Sequence, residues 1–144
     1  MLFSLFLAAC SSIPTPSAET SKPEWLGFEL TDVQTGETFT MDDFAGKVVL
    51  VETMAMWCPN CVVQANEVRN LHNLLGNPDG LEWHFAVAQL EVARALGNLY
   101  SAQYLNPPLS PMLIIDRDGN VHQLEYGRKD AETLQKLVEP YLAK

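Results

Sequence analysis

Residues 47–61 read KVVLVETMAMWCPNC, and this stretch decides the architecture of the chain. The apolar, β-branched run at 48–51 predicts a buried strand. A helical pattern begins at Pro59, which suits a first helical turn because it has no N–H to leave unbonded and its φ is already near the helical value. Cys58 and Cys61 flank that helix start. Two cysteines at this spacing can close a small disulfide ring, so the stretch predicts a strand, a redox-capable turn and a helix.

The position of the two cysteines also predicts their chemistry. A helix start carries partial positive charge and unbonded backbone N–H groups, both of which stabilise a thiolate on Cys58. That sulfur is expected to attack disulfides near neutral pH. Cys61 lies one turn further into the helix and is the expected resolving thiol. The residues therefore indicate thiol-disulfide exchange.

Three segments carry a family resemblance. Trp57-Cys58-x-x-Cys61 after a hydrophobic strand resembles thioredoxin, and FAGKVVLV at 44–51 resembles the extracytoplasmic TlpA-like or redoxin branch. SPMLIIDRDG at 110–119 resembles the segment in which thioredoxin-like proteins place a cis-proline facing the cysteines. The resemblance covers about residues 25–144. It implies an α/β thioredoxin fold, a three-layer α/β/α sandwich with a mixed central sheet and an N-terminal β-hairpin. It also implies a thiol-disulfide oxidoreductase with cysteine-containing protein substrates and a membrane or thioredoxin-type redox partner.

Apolar periodicity and turn residues predict the elements along the chain. The predicted order is a hairpin in 27–40, a strand at 48–53, a helix from Pro59 to 76–78, a strand at 83–88, a helix at 90–104, strands at 112–115 and 121–126, and a helix at 131–142 capped by Asp130. In the first helix the apolar positions that approximate one face are Val62, Val63, Val68, Leu71, Leu74 and Leu75.

Length and charge narrow the function classes. The 144 residues are 47% hydrophobic, which is enough for one ordinary core and a single domain. The net charge of -9 argues against nucleic acid or an anionic membrane surface as an electrostatic partner, because both would be repelled. A monomer with an acidic, solvated surface is expected.

The N-terminus predicts a lipid anchor. Residues 1–10 are almost wholly apolar, too short to span a bilayer as a helix, and end Leu-Ala-Ala-Cys, which resembles the lipobox of bacterial lipoproteins. The resemblance implies that Cys10 is lipidated and that the protein is extracytoplasmic and membrane-anchored. A frayed apolar tail with an incidental cysteine is the alternative. Residues 11–24 are rich in Ser, Thr and Pro and predict a flexible tether, which leaves 25–144 as the thioredoxin-like domain.

Glu52 is a candidate for proton transfer. It precedes Cys58 by six residues, where thioredoxin carries a buried acid beneath the active site that moves protons to and from the resolving thiol. A buried, unpaired carboxylate would have a raised pKa and suit that role. A partly solvated strand carboxylate is the alternative. Gln64 stands where several cytochrome-maturation relatives have a Glu, which weakens an assignment to cytochrome c maturation.

Ser110, Pro111 and Trp57 are candidates for substrate contact. A cis bond between Ser110 and Pro111 would expose the backbone of residue 110, which could then pair with an extended substrate chain. The prolines at 107–108 leave open that Pro111 is one more loop proline. Trp57 would flank Cys58 as an apolar contact platform, or it simply shields the sulfur.

No cofactor or metal is expected. His72, His84 and His122 show no ligand spacing, and Cys58 with Cys61 alone would leave a four-coordinate metal site half filled. A non-catalytic metal-handling or scaffolding lipoprotein on the same fold remains the alternative function.

Overall fold

The computed structural model describes residues 22–76 and 82–142. The strands are β1 (Leu30–Asp32), β2 (Thr38–Phe39), β3 (Val49–Glu52), β4 (Ala86–Val87), β5 (Met112–Ile115) and β6 (Val121–Gln123). The helices are α1 (Pro59–Leu74), α2 (Leu90–Leu99) and α3 (Ala131–Leu142), and short 3-10 turns lie at Glu24–Gly27, Met41–Phe44 and Ala102–Tyr104. The predicted order of strands and helices is confirmed, including the hairpin before the core.

The strands form two three-stranded sheets, ordered β2-β1-β4 and β3-β5-β6. Strand β3 lies at the edge of its sheet and pairs along its whole length with β5, the middle strand, from Val49 opposite Ile115 to Glu52 opposite Met112. Strand β4 pairs with β1, Val87 lying opposite Thr31. The predicted mixed sheet differs in this respect: every pair among the described strands is antiparallel, because β4 bonds to β1 and not to β3.

Strand β5 separates the two halves of the core. All four of its residues are buried, and because side chains alternate across a strand they point to opposite faces. Leu113 and Ile115 pack in one cluster with α2 and the first 3-10 turn. Met112 and Ile114 pack in a second cluster with α1 and α3. Helices therefore cover both faces of the sheet, which gives the three predicted layers.

Helix α1 buries only part of the face that apolar periodicity predicted, since Val68 and Leu71 are buried but Leu74 is exposed. Val62 and Val63 are exposed, and the buried positions are Cys61, Gln64, Val68 and Leu71. Those four positions follow the helical repeat and place one polar side chain among apolar neighbours. The second cysteine and Gln64 therefore belong to the core face of α1.

The predicted helix at 90–104 ends early. Helix α2 ends at Leu99, where Tyr100 turns inward and accepts a hydrogen bond from Trp25 Nε1 at 3.0 Å. Ser101 then caps a separate 3-10 turn by accepting the N–H of Gln103. The aromatic contact and the new cap together redirect the chain before residue 105.

The predicted leader at 1–10, with Cys10, lies outside the described residues, as does most of the tether. The end of the tether is described: Lys22 forms an exposed ion pair with Asp42 at 2.6 Å, and the first 3-10 turn begins at Glu24. Within the described part of the chain, no helix combines the length and apolar character needed to cross a bilayer.

Candidate active site

Cys58 and Cys61 are joined as a disulfide at the start of α1, with their Cα atoms 5.3 Å apart. Cys58 is the residue before the first helical turn, and its Sγ accepts a hydrogen bond from the N–H of Cys61 at 3.1 Å. The N–H of Cys58 donates to the carbonyl of Ala55 at 3.0 Å, which closes the turn that leads out of β3. Pro59 occupies the first helical position, as predicted. Because the helix N–H groups point at Cys58, a thiolate formed there would be stabilised.

Both cysteines are buried, but they differ in their surroundings. Cys61 is completely buried, and Cys58 is 4% exposed, packed with Ala55. Met56 and Trp57, just before Cys58, project outward, and Trp57 is 73% exposed. Cys58 therefore lies at the bottom of an apolar rim, whereas Cys61 is covered by the protein.

A groove of about 330 Å³ opens beside Cys58. Its lining is Trp57, Cys58, Pro59, Asn106, Pro107 and Pro108. We name residues 106–110 the proline loop. The side chain of Asn60 donates to the carbonyl of Pro108 at 3.2 Å, and the N–H of Leu109 donates to the hydroxyl of Tyr126 at 3.2 Å. The groove thus has a tryptophan wall and a proline wall, with one cysteine between them.

The prediction of a cis bond before Pro111 is wrong in this structure. The Ser110–Pro111 bond is trans, as is every other peptide bond among the described residues. The trans isomer of an X–Pro bond is favoured by about 0.5–1 kcal/mol unless the surroundings select cis. Both residues are buried, and the carbonyl of Pro111 accepts the N–H of Thr53 at 3.1 Å. Ser110 therefore offers no open backbone edge, and residues 106–108 line the groove instead of Pro111.

Glu52 ends β3 with one carboxylate oxygen in the interior. Its Oε1 and the Oγ of Ser110 are both buried and make no hydrogen bond of standard geometry. Burial raises the pKa of Glu52, and the nearby Ser110 hydroxyl opposes that rise only in part. The buried oxygen agrees with the buried-acid interpretation, and the intermediate exposure of the whole residue agrees with a partly solvated carboxylate.

Comparison with known proteins extends this picture. A thiol:disulfide interchange protein DsbE of Allochromatium vinosum is 25% identical over 146 aligned positions, which cover 92% of this chain and 79% of that protein. A thioredoxin-family thiol:disulfide interchange protein of Chlorobium tepidum superposes with a TM-score of 0.64 at 19% identity, covering 80% of this chain and 92% of that one. The exposed lipoprotein thioredoxin of Streptococcus pneumoniae superposes with a TM-score of 0.52 at 16% identity, covering 78% and 98%. No protein-family model matches the chain.

The chain has the thioredoxin fold. The similarity to the Allochromatium interchange protein and the Cys58–Cys61 pair together support thiol-disulfide oxidoreductase activity. The redox pair occupies the turn between β3 and α1, where the sequence predicted it.

Gln64 is a site-supporting residue of this thioredoxin-like protein that the sequence did not identify. Its amide donates to the carbonyl of Lys129 and accepts the N–H of Lys129, both at 2.8 Å. Gln64 is 1% exposed and lies one turn after Cys61. It therefore ties the redox helix α1 to the loop before α3. A polar residue in register with Cys61, Val68 and Leu71 was the available signal.

Two of the histidines each lie beside an aspartate. His84 Nδ1 lies 3.2 Å from Asp32 Oδ2, and His122 Nε2 lies 2.8 Å from Asp116 Oδ2. Within residues 22–76 and 82–142 no group of three or more His, Cys, Asp or Glu side chains is arranged to hold a metal ion.

Proposed function

We propose that this thioredoxin-like oxidoreductase exchanges its Cys58–Cys61 dithiol and disulfide with cysteines of extracytoplasmic proteins. The observation that carries the proposal is the unequal placement of the two sulfurs. Cys58 lines an apolar groove at a helix start, and Cys61 is buried one turn further in. A partner sulfur can therefore approach Cys58 but not Cys61.

The exchange takes two steps. In the reducing direction the Cys58 thiolate attacks one sulfur of a partner disulfide, a mixed disulfide forms, and the other partner sulfur leaves as a thiolate. Cys61 then loses its proton and attacks the Cys58 sulfur. The Cys58–Cys61 bond forms and the second partner thiolate leaves. The partner disulfide has gained two electrons, and the protein dithiol has lost them.

Other residues have supporting roles in the proposal. Glu52, with its buried oxygen and raised pKa, accepts or returns the proton of Cys61 during the second step. Trp57 provides an apolar wall against which the partner chain lies. Ser110 and Pro111 are buried and contribute indirectly: Ser110 lies close to Glu52, and Pro111 joins the proline loop to β5.

Location outside the cytoplasm is part of the proposal. Small residues directly before Cys10 at the end of an apolar run fit a lipidation signal, and the polar tether after it would separate a lipid from the domain. The pneumococcal structural neighbour is described as an exposed lipoprotein. A membrane or thioredoxin-type protein would then exchange electrons with the pair.

The test separates the two cysteines. Cys58→Ala should abolish reduction of insulin disulfides, whereas Cys61→Ala should accumulate a covalent mixed disulfide with insulin that dithiothreitol releases. In the reduced protein, iodoacetamide should label Cys58 much faster than Cys61 near pH 7. Equal labelling of both thiols, or insulin reduction that survives loss of Cys58, would contradict the assignment.

A further inference from the structure

We infer that Asn60 and Tyr126 are positioning residues that hold the proline loop against the redox pair, and that they set the affinity for the peptide chain around a partner's cysteine. This inference rests on the proposed function and deepens it. It concerns how the partner is bound and leaves the exchange of sulfurs as described above.

Two side-chain hydrogen bonds hold the proline loop, and we call them clamps. The first comes from Asn60, which lies between the two cysteines in the ring that the disulfide closes. Its side-chain amide donates to the carbonyl of Pro108 across the groove at 3.2 Å. Pro107 and Pro108 have no N–H of their own, so this part of the loop cannot be held by its own backbone donors. The Asn60 bond therefore fixes the proline wall relative to Cys58.

The second clamp lies on the other side of the loop. The hydroxyl of Tyr126 accepts the N–H of Leu109, which is the first backbone donor after the two prolines. Tyr126 follows β6 and is half-buried. Pro108 and Leu109 are thus held by side chains from two different parts of the fold.

The groove that these clamps shape suits an uncharged chain. Residues 106–110 read NPPLS and carry no charge, and the opposite wall is Trp57. The protein has a net charge of -9, which disfavours small anionic disulfides. The lining and the charge therefore favour a partner cysteine flanked by uncharged, apolar residues.

A single-turnover experiment tests the clamps. The dithiol form of the full chain is mixed with increasing amounts of the disulfide-linked dimer of the peptide Ala-Val-Cys-Leu-Ala, or with bis-hydroxyethyl disulfide, and oxidation is followed by tryptophan fluorescence. Tyr126→Phe and Asn60→Ala should each raise the half-saturating peptide concentration about fivefold, the effect of one neutral hydrogen bond. For Tyr126→Phe, which lies outside the redox ring, the saturating rate with peptide and the rate with the small disulfide should change less than twofold.

Two matched controls and a double variant sharpen the result. Tyr141→Phe on α3 and Asn70→Ala on the exposed face of α1 should behave as wild type with both substrates. Because both clamps hold one loop, the double variant should weaken peptide binding by less than the product of the single effects.

Three outcomes would overturn the inference. The half-saturating peptide concentration could be unchanged in both single variants, or the rate with the small disulfide could fall as much as the rate with peptide. The third is a double variant whose effect on peptide binding equals the product of the two single effects. A wild-type protein that reduces neither disulfide would instead refute the proposed function. The two failures are therefore distinguishable.

Discussion

Glu52 combines a buried carboxylate oxygen with the absence of a hydrogen-bond partner of standard geometry. An ionised carboxylate in such a place costs free energy, since the interior replaces only part of its lost hydration. Burial accordingly raises the pKa of Glu52. A group of this kind is well suited to proton transfer, and the domain loses stability by keeping it.

The raised pKa predicts how stability depends on pH. Between the ordinary Glu pKa and the raised pKa of the folded state, the folded protein binds more protons than the unfolded chain. The free energy of unfolding is therefore highest below the ordinary pKa. It falls as the pH rises through the pKa of the folded state. Glu52→Gln removes this loss. At pH 7 the oxidised variant should therefore be more stable than wild type, by on the order of 1 kcal/mol for one unsatisfied buried group. Urea unfolding at a series of pH values measures the difference.

The same variant tests the catalytic role. Glu52→Gln should slow release of the mixed disulfide by Cys61 while its formation by Cys58 stays nearly normal, as stopped-flow reduction across pH would reveal. Ser110→Ala should shift the Glu52 titration to higher pH, because the hydroxyl lowers the carboxyl pKa. The exposed Glu139→Gln is the control for both. Unchanged release at every pH would exclude Glu52 from proton transfer.

At the scale of elements, Gln64 joins α1 to the loop before α3 through two hydrogen bonds with Lys129. The pairing needs one donor and one acceptor on the same side chain, which an amide has and an ionised carboxylate lacks. The backbone of Lys129 therefore favours an amide side chain at position 64.

Gln64→Glu should lower the unfolding free energy by about 2–4 kcal/mol, because the carbonyl of Lys129 loses its donor and a charge is buried. Asn70→Asp makes the same chemical change at an exposed position of α1 and should stay within about 0.5 kcal/mol of wild type. Chemical denaturation of the oxidised proteins gives both values. Equal stability of Gln64→Glu and wild type would show that the two bonds contribute nothing.

The β5-β6 hairpin depends on Asp116. Its carboxylate accepts the N–H groups of Asp118 and Asn120 at 3.0 and 2.9 Å and contacts His122. Desolvation acts to raise the pKa of Asp116, but the hydrogen bonds from His122 and Asn120 outweigh it and lower the pKa to about 2. The carboxylate therefore stabilises the fold above the ordinary Asp pKa, and this contribution is lost as pH falls toward about 2.

Asp116→Ala should destabilise the domain by on the order of 1–2 kcal/mol at pH 7, and by much less at pH 2, where the pH has reached the folded-state pKa and most of the pH-dependent stabilisation is lost. The exposed neighbour provides the control, since Asp118→Ala removes a carboxylate from the same turn. Thermal unfolding at the two pH values measures the effect. A loss of stability that is equal at both would contradict the pH argument.

At the scale of the whole molecule, a lipid anchor at Cys10 would determine which partners the redox pair can meet. If Cys10 accepts a lipid, expression of the whole reading frame in a bacterium should place the protein in the membrane fraction, and Cys10→Ala should release or mislocalise it. Mass spectrometry of the N-terminal peptide would identify the lipid. Fractionation of the wild type with cytoplasmic proteins would contradict the lipobox prediction.

The sequence by itself determined what depends on neighbouring residues. Pro59 at a first turn, Asp130 before the last helix and the apolar run at β5 predicted elements that the structure confirms, because capping and periodicity act within a few positions. The disulfide between Cys58 and Cys61 was predictable for the same reason, since its two ends are three positions apart.

Only the tertiary structure decided which distant segments meet. Asn60 bonds to Pro108 over 48 positions, and Gln64 bonds to Lys129 over 65. Neither residue has a local pattern that names its partner. The isomer before Pro111 and the pairing of β4 with β1 also depend on packing, because the intrinsic preferences involved amount to about 1 kcal/mol and the surroundings can override them. The chemistry of the pair was thus local, whereas the groove beside it arose from contacts between remote parts of the chain.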